Sequence, residues 1–528
     1  MTKVLVSDPI DKTGIDILSQ VAQVDERPGM SAEELKACIG DYDGLMIRSG
    51  TQVTADVIAA ATKLKIIGRA GVGVDNVDVP AATQRGVLVV NSPEGNTIAA
   101  AEHALAMMLS LSRHVPQAHA GMRAGKWDRK KYVGNELYKK TLGVVGLGKI
   151  GSHVARVARA MGMDVIAYDP FIAADRAQQM QVRLTDLDEL FRSADYVTLH
   201  IPRTKDTENL VNAELLRTMK PTARIVNCAR GGVVDESAIA EAIQNGVIAG
   251  AGLDVYASEP LAEDSPLRAV ERGLVLTPHL GASTEEAQEN VAVDVAEQIR
   301  DVLLGLPARS AVNIPGLSAE IMERLKPHLQ LAETVGRLVS QLSGGQVQEL
   351  ELRLQGEFAS HPSQPLLIAS LKGLLGAVLG DSINFVNASL EAKARGIRVL
   401  EVKDEASRDF AGGSLQLTSR GDQGSRSVTG TVFADGDLRI TSIDEFPVNV
   451  TPSSHMLFTR HRDMPGIIGQ LGSMLGAHNV NIAAMQVGRK IVRGDAVMVL
   501  SIDDPIPADL LATLTGIDGI QEAHPVTL

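Results

Sequence analysis

The sequence predicts an α/β protein of several domains, on three observations. The chain has 528 residues, more than one hydrophobic core normally serves, so we expect roughly three or four domains. Aromatic residues make up only 3% of it, so the core must be built mainly from Val, Ile, Leu and Ala. Short aliphatic runs alternate with helical patterns, which is typical of parallel sheets joined by crossover helices.

Alternation of this kind fills the first part of the chain. Residues 97–112 are rich in Ala and Leu and contain neither Gly nor Pro, which predicts a largely buried helix. Residues 141–281 alternate again, and residues 284–304 predict another long helix with Thr284 as its N-cap. The strands predicted before these segments are residues 3–6, 44–47, 65–67 and 87–90.

The pattern changes near residue 315. The stretch up to about residue 450 mixes a predicted helix with strands and contains no recognisable catalytic constellation. Its predicted elements are a helix at 325–342 and strands at 347–354, 398–402 and 427–433. Residues 455–526 then predict the order β-α-β-β-α-β, which is the ferredoxin-like arrangement.

Charge and composition exclude several classes of protein. A net charge of -13 disfavours a general nucleic-acid binder, which is normally basic. The cysteines are Cys38 and Cys228, far apart in sequence, so we expect neither a disulfide framework nor a metal site, and we predict a reducing cytoplasm. No signal-peptide core follows Met1, and no apolar stretch of about 18 residues predicts a membrane span.

A glycine motif predicts a dinucleotide site. G-x-G-x-x-G occurs at Gly146, Gly148 and Gly151, between a predicted strand and a predicted helix, and Asp169 ends the next strand. The glycines allow a tight turn, close approach of a pyrophosphate and close packing of helix on strand. Asp169 can accept hydrogen bonds from a ribose 2′-hydroxyl and would repel a 2′-phosphate, which favours NAD over NADP. The alternative is a plain βαβ turn with a surface Asp.

Three polar residues follow successive predicted strands. Arg230, Glu259 and His279 stand just past strand ends, where an open α/β sheet binds its ligands. A guanidinium can hold a carboxylate at two points, a His can accept a hydroxyl proton, and a carboxylate beside that His fixes its tautomer. Taken alone, each could be a surface ion pair or an ordinary loop residue.

These motifs together resemble the D-isomer-specific 2-hydroxyacid dehydrogenase family. The resemblance covers roughly residues 1–315 and implies two Rossmann-like lobes, with His279 as acid/base, Glu259 as its partner and Arg230 as substrate anchor. It also implies that Asp254 lies near the nicotinamide of NAD. The residues implied to contact the cofactor are Gly146, Gly148, Lys149, Ile150, Gly151, Asp169, Cys228 and Asp254.

The family's architecture implies a set of domain limits. The two long helices are expected to cross between the lobes, with the substrate in the cleft. The segment after the lobes resembles the intervening domain of the family's long-form members, and the last segment resembles an ACT regulatory domain. The predicted domains are a discontinuous substrate lobe (1–97 plus 286–315), an NAD lobe (98–285), an α+β intervening domain (316–452) and the ACT domain (453–528).

Two arginines bear on the choice of substrate. Arg48 and Arg69 each follow a predicted strand, so both should face the cleft, and two extra cations suit a phosphorylated substrate. The resemblance implies that Arg48, Arg69, Gly71 and Gly73 contact 3-phospho-D-glycerate, which NAD oxidises to 3-phosphohydroxypyruvate in the first step of L-serine synthesis. It also admits 2-oxoglutarate as a side substrate. The arginines could instead be structural turn residues.

The last segment predicts an effector site. By its resemblance to an ACT domain, Gly466 makes a sharp turn before a helix whose N-terminus can face a carboxylate, while Asp463 with Asn479 or Asn481 receives the ammonium or hydroxyl of L-serine. The alternative is a unit that only dimerises, edge strand to edge strand.

Two other functions remain open from the sequence. One is a dehydrogenase of another D-2-hydroxy acid, and the other is an NAD-sensing protein like the corepressors that keep this fold. The apolar helix at 97–112 and the additional domains favour a homotetramer by resemblance. We expect no nucleic-acid or membrane partner.

Overall fold

Four β-sheets organise the residues described by the computed structural model, which are 2–314, 319–405 and 412–528. The predicted boundary between substrate lobe and intervening domain, at residues 315 and 316, lies outside them. No helix in the described ranges is long and apolar enough to cross a membrane.

The first sheet is parallel throughout. Its strands are largely buried and mostly aliphatic, except for the polar edge strand β2. Its strands are β1 Lys3–Val6, β2 Gln23–Glu26, β3 Gly44–Ile47, β4 Ile66–Arg69 and β5 Leu88–Asn91, in the order β2-β1-β3-β4-β5. Its helices are α1 Lys12–Ser19, α2 Ala32–Cys38, α3 Ala55–Ala60 and α4 Val79–Arg85. Ser31 and Glu34 form a capping box that starts α2.

The second sheet is also parallel and has seven strands. After α5 Thr97–Arg113 and α6 Val115–Arg123 come β6 Thr141–Val145, β7 Asp164–Tyr168, β8 Arg183–Leu184, β9 Tyr196–Leu199, β10 Arg224–Asn227, β11 Gly250–Leu253 and β12 Leu274–Leu276. Between them lie α7 Lys149–Ala160, α8 Ala174–Gln179, α9 Leu187–Ser193, α10 Ala213–Arg217 and α11 Glu236–Gln244. In the order β12-β11-β10-β9-β6-β7-β8, the chain continues from β6 to β7 on one side and later returns to β9 on the other side. Sheets of this kind bind ligands in the crevice where the strand order switches sides.

Two helices cross between the sheets, as the sequence predicts. α5 follows the first sheet but buries Ala101, Ala104 and Met108 in the core of the second. α12 Glu285–Leu303 follows the second sheet but packs on the first, and its N-terminus is capped by Thr284, whose Oγ1 accepts the Ala287 N–H at 3.1 Å. Each sheet is therefore partly covered by a helix that directly follows the other sheet in the chain.

The third sheet is mixed and belongs to an α+β unit. Its elements are α13 Ala319–Ser343, β13 Val347–Gln355, α14 Glu357–Ser360, α15 Ser363–Leu379, α16 Ala388–Ala394, β14 Arg398–Asp404, β15 Ser414–Gly421, β16 Gly424–Val432, β17 Leu438–Ile443 and β18 Phe446–Val450. The strand order is β14-β13-β15-β16-β17-β18. Gly373 allows helices α13 and α15 to pack closely, since a Cβ at this position would lie only 2.0 Å from the Glu333 carbonyl oxygen.

The C-terminal unit has the predicted β-α-β-β-α-β order and an antiparallel sheet. Its elements are β19 His455–Arg462, α17 Ile467–Ala477, β20 Ile482–Arg489, β21 Asp495–Ile502, α18 Ala508–Leu514 and β22 Ile520–Thr527, ordered β20-β21-β19-β22. Leu457 on β19 packs under the two helices, while Phe458 points the other way into the core of the mixed-sheet unit. The sheet is therefore covered on both faces at β19.

Several boundaries differ from the sequence prediction. The strand predicted at 427–433 spans Gly424–Val432, because Gly424, with φ of +103°, closes a hairpin against β15. Helix α15 is not among the predicted elements. It is buried on nearly all sides, so its sequence has no polar face that would indicate a helix.

Candidate active site

The glycine loop after β6 lies at the crevice of the second sheet. Gly146 has φ of +93°, and a Cβ there would lie 2.5 Å from the His200 carbonyl oxygen. A Cβ on Gly151 would lie 2.0 Å from the Gly146 carbonyl oxygen, so this glycine lets α7 approach the loop. Gly148 differs, since a Cβ there would meet no heavy atom within 4 Å. Its lack of a side chain leaves open space in front of the helix.

Asp169 sits beside this loop, at the end of β7. Its Oδ2 accepts the Leu147 N–H at 2.8 Å, and its Oδ1 accepts the Phe171 N–H at 2.8 Å. These bonds hold the carboxylate where the sequence predicts a ribose contact. Lys149 forms an ion pair with Glu94 from the loop before α5.

The remaining predicted cofactor residues are less exposed. Ile150 packs against the core of the second sheet, and Cys228 follows β10. Burial, with Asp254 nearby, raises the pKa of the Cys228 thiol far above its usual value. Burial therefore disfavours the thiolate, which is the reactive form of a cysteine.

These residues fit a dinucleotide. The N-cap residue Gly148 supplies no side-chain hydrogen bond to α7, so the first N–H groups of the helix are free for phosphate oxygens. The open space at Gly148 admits the pyrophosphate, and Asp169 can meet the ribose. When bound, NAD supplies a nicotinamide ring that accepts a hydride.

His279 and Glu259 form a direct pair. His279 Nδ1 lies 2.7 Å from Glu259 Oε2, and Glu259 Oε1 accepts the Tyr256 N–H at 3.1 Å. Because a carboxylate only accepts hydrogen bonds, Nδ1 carries the proton and Nε2 is the basic nitrogen. The side chains are 48% and 37% exposed, so a small molecule in the cleft can reach them.

Asp254 anchors the loop that carries His279. Its carboxylate is 0% exposed and accepts the Leu280 N–H at 2.8 Å and the Gly281 N–H at 2.9 Å. Burial by itself would raise the pKa of Asp254, but hydrogen bonds from His103, Thr277 and Leu280 outweigh it and lower that pKa. The predicted contact of Asp254 with the nicotinamide remains a prediction.

Arg230 reaches the other lobe. Its Nε lies 3.4 Å from Asp75 Oδ2, and its Nη1 donates to the Ala229 carbonyl oxygen at 2.8 Å. A Cβ on Gly73 would lie 2.3 Å from Arg230 Nη2. Gly73 therefore allows the guanidinium to lie directly against the backbone of the substrate lobe.

Arg69 lies against the same glycine-rich loop. Gly71 has φ of +151°, and a Cβ there would lie 2.0 Å from Arg69 Nη1. Burial, with repulsion from Arg230 and Arg48, lowers the pKa of Arg69 to about 10. Its Nε is buried and has no hydrogen-bond partner in the described part of the chain.

The backbone around Arg48 is held rigidly. Asp8 Oδ2 accepts the Arg48 N–H at 2.6 Å, and Asn76 Nδ2 donates to the Arg48 carbonyl oxygen at 2.7 Å. No hydrogen bond or ion pair is recorded for its guanidinium among the described residues. Three guanidinium groups thus share a cleft with Asp75 as a nearby carboxylate, which favours a ligand with more than one negative charge.

The predicted effector residues occupy two ends of the C-terminal sheet. Asp463 follows β19 and accepts a hydrogen bond from Arg489 Nη1 at 2.8 Å, and Gly466 is the N-cap of α17 with φ of +97°. Asn479 has φ of +56° in the turn after α17, and Asn481 donates to Asp503 at 2.7 Å. The strand register places Asp463 beside the start of β21 and Asn481 beside its end. One chain therefore does not bring all four residues together.

Some residues of the site were not identified from sequence. Asp75 and Asn76 follow Gly71 and Gly73 closely in sequence, but their partners Arg230 and Arg48 are far away in the chain. His461, on the strand before Asp463, is fully enclosed, and its Nδ1 has no partner in the described part of the chain. Its position three residues before a Met-Pro-Gly turn is the signal that could have drawn attention to it.

The comparisons agree with this geometry. Residues 105–281 match the D-isomer specific 2-hydroxyacid dehydrogenase NAD binding domain, residues 324–444 the D-3-phosphoglycerate dehydrogenase intervening domain, and residues 455–519 the ACT domain. The fold and the site define an NAD-dependent oxidoreductase, and the chain belongs to the D-isomer specific 2-hydroxyacid dehydrogenase family.

Full-length relatives carry a more particular name. The D-3-phosphoglycerate dehydrogenase of Synechocystis sp. is 62% identical over 100% of this chain and 95% of its own. The enzyme of the same name from Methanocaldococcus jannaschii is 43% identical over 100% of both chains. Among solved structures, a D-lactate dehydrogenase from Aquifex aeolicus, complexed with NAD and lactic acid, is 26% identical with a TM-score of 0.52 and covers 58% of this chain and 96% of its own.

The space at Gly148 gives a test of the cofactor site. Gly148→Ala meets no atom of the protein and keeps an allowed φ of -64°, so the melting temperature should not change. The methyl group would stand where the pyrophosphate approaches, so the Kd for NAD should rise by about tenfold or more, roughly 1.4 kcal/mol. Calorimetric titration with NAD measures this, and Gly376→Ala, which also meets open space, is the control. Unchanged NAD affinity in Gly148→Ala would place the pyrophosphate elsewhere.

Proposed function

We propose that this chain oxidises 3-phospho-D-glycerate to 3-phosphohydroxypyruvate with NAD, as the entry to L-serine synthesis. The observation that carries the proposal is the cluster of Arg48, Arg69 and Arg230. Arg230 follows β10, and the His279–Glu259 pair follows the neighbouring strands β11 and β12 of the same parallel sheet. A phosphorylated hydroxy acid has the two anionic groups that such a cluster requires. The names of the full-length relatives point to the same substrate.

Each residue has a role in this proposal. Arg230 holds the substrate carboxylate, while Arg48 and Arg69 hold the phosphate. His279 Nε2 accepts the proton of the C2 hydroxyl, and Glu259 stabilises the imidazolium that results. Bound NAD would supply the nicotinamide that accepts the hydride of C2. 2-Oxoglutarate, which also has two carboxylates, is a side substrate that the same cations can accept in reduction.

The domain limits remain part of this proposal. We assign residues 1–97 and 286–315 to the substrate lobe, 98–285 to the NAD lobe, 316–452 to the intervening domain and 453–528 to the ACT domain. The crossing of α5 and α12 supports the discontinuous substrate lobe. The unpaired thiols of Cys38 and Cys228 fit a cytoplasmic protein.

We further propose a homotetramer. Apolar side chains on α5, α6 and the segment after them are exposed, and Trp127 and Val133 are each 75% exposed. An exposed apolar surface of this kind marks a contact between proteins. β20 is an outer strand of the C-terminal sheet and exposes Met485 and Val487, which suits a second contact.

L-Serine is the proposed effector, bound where two ACT domains meet. If two copies pair antiparallel along β20, Asp463 and Gly466 of one copy come close to Asn479 and Asn481 of the other. The N-terminus of α17 can receive the serine carboxylate, and Asp463 the ammonium. Placement of these residues at opposite ends of one sheet supports a site shared by two copies.

The reaction is tested directly with purified protein. NADH absorbance should rise with NAD and 3-phospho-D-glycerate and fall with NADH and 3-phosphohydroxypyruvate. His279→Ala should lower kcat by about 10²–10⁴-fold, because it removes the base, and should leave the Kd for NAD unchanged. The assignment fails if the wild-type protein binds NAD but turns over neither compound.

Arg48 should discriminate between phosphorylated and unphosphorylated acids. Arg48→Gln removes a charge-assisted bond worth about 1.5–3 kcal/mol, so KM for 3-phospho-D-glycerate should rise by about 10–100-fold. KM for D-glycerate, which has no phosphate, should change little. Arg85→Gln, an exposed cation on the same lobe, is the control for overall charge. An equal rise of KM for both acids would contradict a phosphate contact.

A mixing experiment tests the shared serine site. Asp463→Ala and Asn481→Ala should each abolish inhibition by L-serine without changing uninhibited kcat. Subunits of the two variants, mixed and reassembled, form pairs in which one of the two sites has both native side chains. Partial inhibition of the mixture, measured by NADH formation, is expected. A mixture as insensitive as either variant alone would contradict a site shared between copies.

A further inference from the structure

His103 lies beneath the loop that carries His279. It is on α5, the helix that crosses from the substrate lobe, and its side chain is mostly buried. Its Nε2 lies 3.0 Å from Asp254 Oδ1 and 3.2 Å from Thr277 Oγ1. The roles described so far leave this histidine unexplained.

The contacts of Asp254 connect His103 to the reacting end of His279. Asp254 Oδ1 accepts bonds from Thr277 Oγ1 at 2.6 Å and from the Leu280 N–H at 2.8 Å, besides facing His103. The Asp254 carbonyl oxygen accepts the His279 N–H at 2.8 Å. One buried residue thus fixes the backbone at and immediately after His279.

The backbone of His279 needs such restraint. Its φ is +55°, in the left-handed region that a residue with a Cβ adopts at a cost. A backbone conformation of this kind persists only when several surrounding contacts hold it in place. Asp254 provides this restraint by accepting the N–H groups of His279, Leu280 and Gly281. The bonds of Leu280 and Gly281 go to the carboxylate, so they depend on an Asp254 side chain held in one orientation.

His103 supplies the bond from α5 that orients this carboxylate. A carboxylate that is 0% exposed relies on protein donors, since water does not reach it. Within the described ranges, the other donors to the Asp254 carboxylate come from the 277–281 segment itself. His103, with Nε2 3.0 Å from Asp254 Oδ1, therefore ties this segment to a different element.

A metal ion offers another reading of the same residues. His103, Cys228 and Asp254 place one potential ligand atom each within 4.8 Å of one another. Hydrogen bonds already engage both oxygens of Asp254, and burial keeps the Cys228 thiol protonated. The arrangement therefore fits a hydrogen-bond network better than a metal centre.

We propose that His103 is a positioning residue that, through Asp254, holds His279 in line with the substrate hydroxyl. The proposal rests on the dehydrogenase function assigned to the His279 site. Because α5 starts at the loop between the lobes, His103 also ties the position of the base to the helix that joins them.

The test compares three variants of the full-length protein. His103→Leu removes the donor, His103→Gln returns an amide N–H at the reach of Nε2, and His103→Asn is polar but too short. His103→Leu and His103→Asn should lower kcat by about 10²-fold, as expected when a reacting group is misplaced by about 1 Å, and His103→Gln should retain most of it. KM for the hydroxy acid should stay within about twofold, since the arginines proposed to hold it have lost no contact.

Hydrogen exchange supplies a readout that does not depend on the substrate. The amides of Leu280 and Gly281, which bond to the Asp254 carboxylate, should exchange faster in His103→Leu and His103→Asn, and at the wild-type rate in His103→Gln. If the wild-type protein fails to turn over any hydroxy acid, the proposed function fails, while the exchange rates still decide the role of His103. If His103→Leu does not fold, the comparison of the Gln and Asn variants decides instead. Equal kcat and equal exchange in the Gln and Asn variants would overturn the proposal.

Discussion

The contact of Arg230 with the glycine-rich loop of the opposite lobe is the constraint on which the site depends. Gly71 and Gly73 have no side chains, so the guanidinium groups of Arg69 and Arg230 can lie against the same stretch of backbone. Repulsion between these cations contributes to the lowered pKa of Arg69. The guanidinium groups in the cleft therefore repel one another, and an anionic ligand between them would reduce this repulsion.

The opposite wall of the cleft is arranged around a buried negative charge. The buried Asp254 carboxylate bonds to the backbone of the loop that carries His279, and Glu259 bonds to the His279 imidazole. Arg48 and Arg69 thus belong to the lobe of the first sheet, whereas Arg230, Glu259 and His279 belong to the lobe of the second sheet. Helices α5 and α12 join the two lobes. A dehydrogenase gains from this division, because substrate and cofactor are brought together only where the lobes meet.

Much of this arrangement could be predicted from sequence, because its motifs are local. The glycine loop, Asp169 and the strand ends that carry Arg230, Glu259 and His279 follow from patterns read over a few residues. Pairings between distant segments could not be predicted in this way. His103 and Thr277 are 174 positions apart, and only the crossing of α5 brings them into contact. The effector residues show the opposite difficulty. Asp463 and Asn481 are only a short distance apart in the sequence, but they lie at opposite ends of one sheet.

The transfer of hydrogen from C2 of the substrate tests the central claim most directly. The protein would be given NAD and 3-phospho-D-glycerate that carries deuterium at C2, and the NADH formed would be analysed by mass spectrometry. The account predicts that the deuterium appears in NADH, because the hydride leaves C2 for the nicotinamide while His279 takes only the hydroxyl proton. NADH without deuterium, or no NADH at all, would contradict the account.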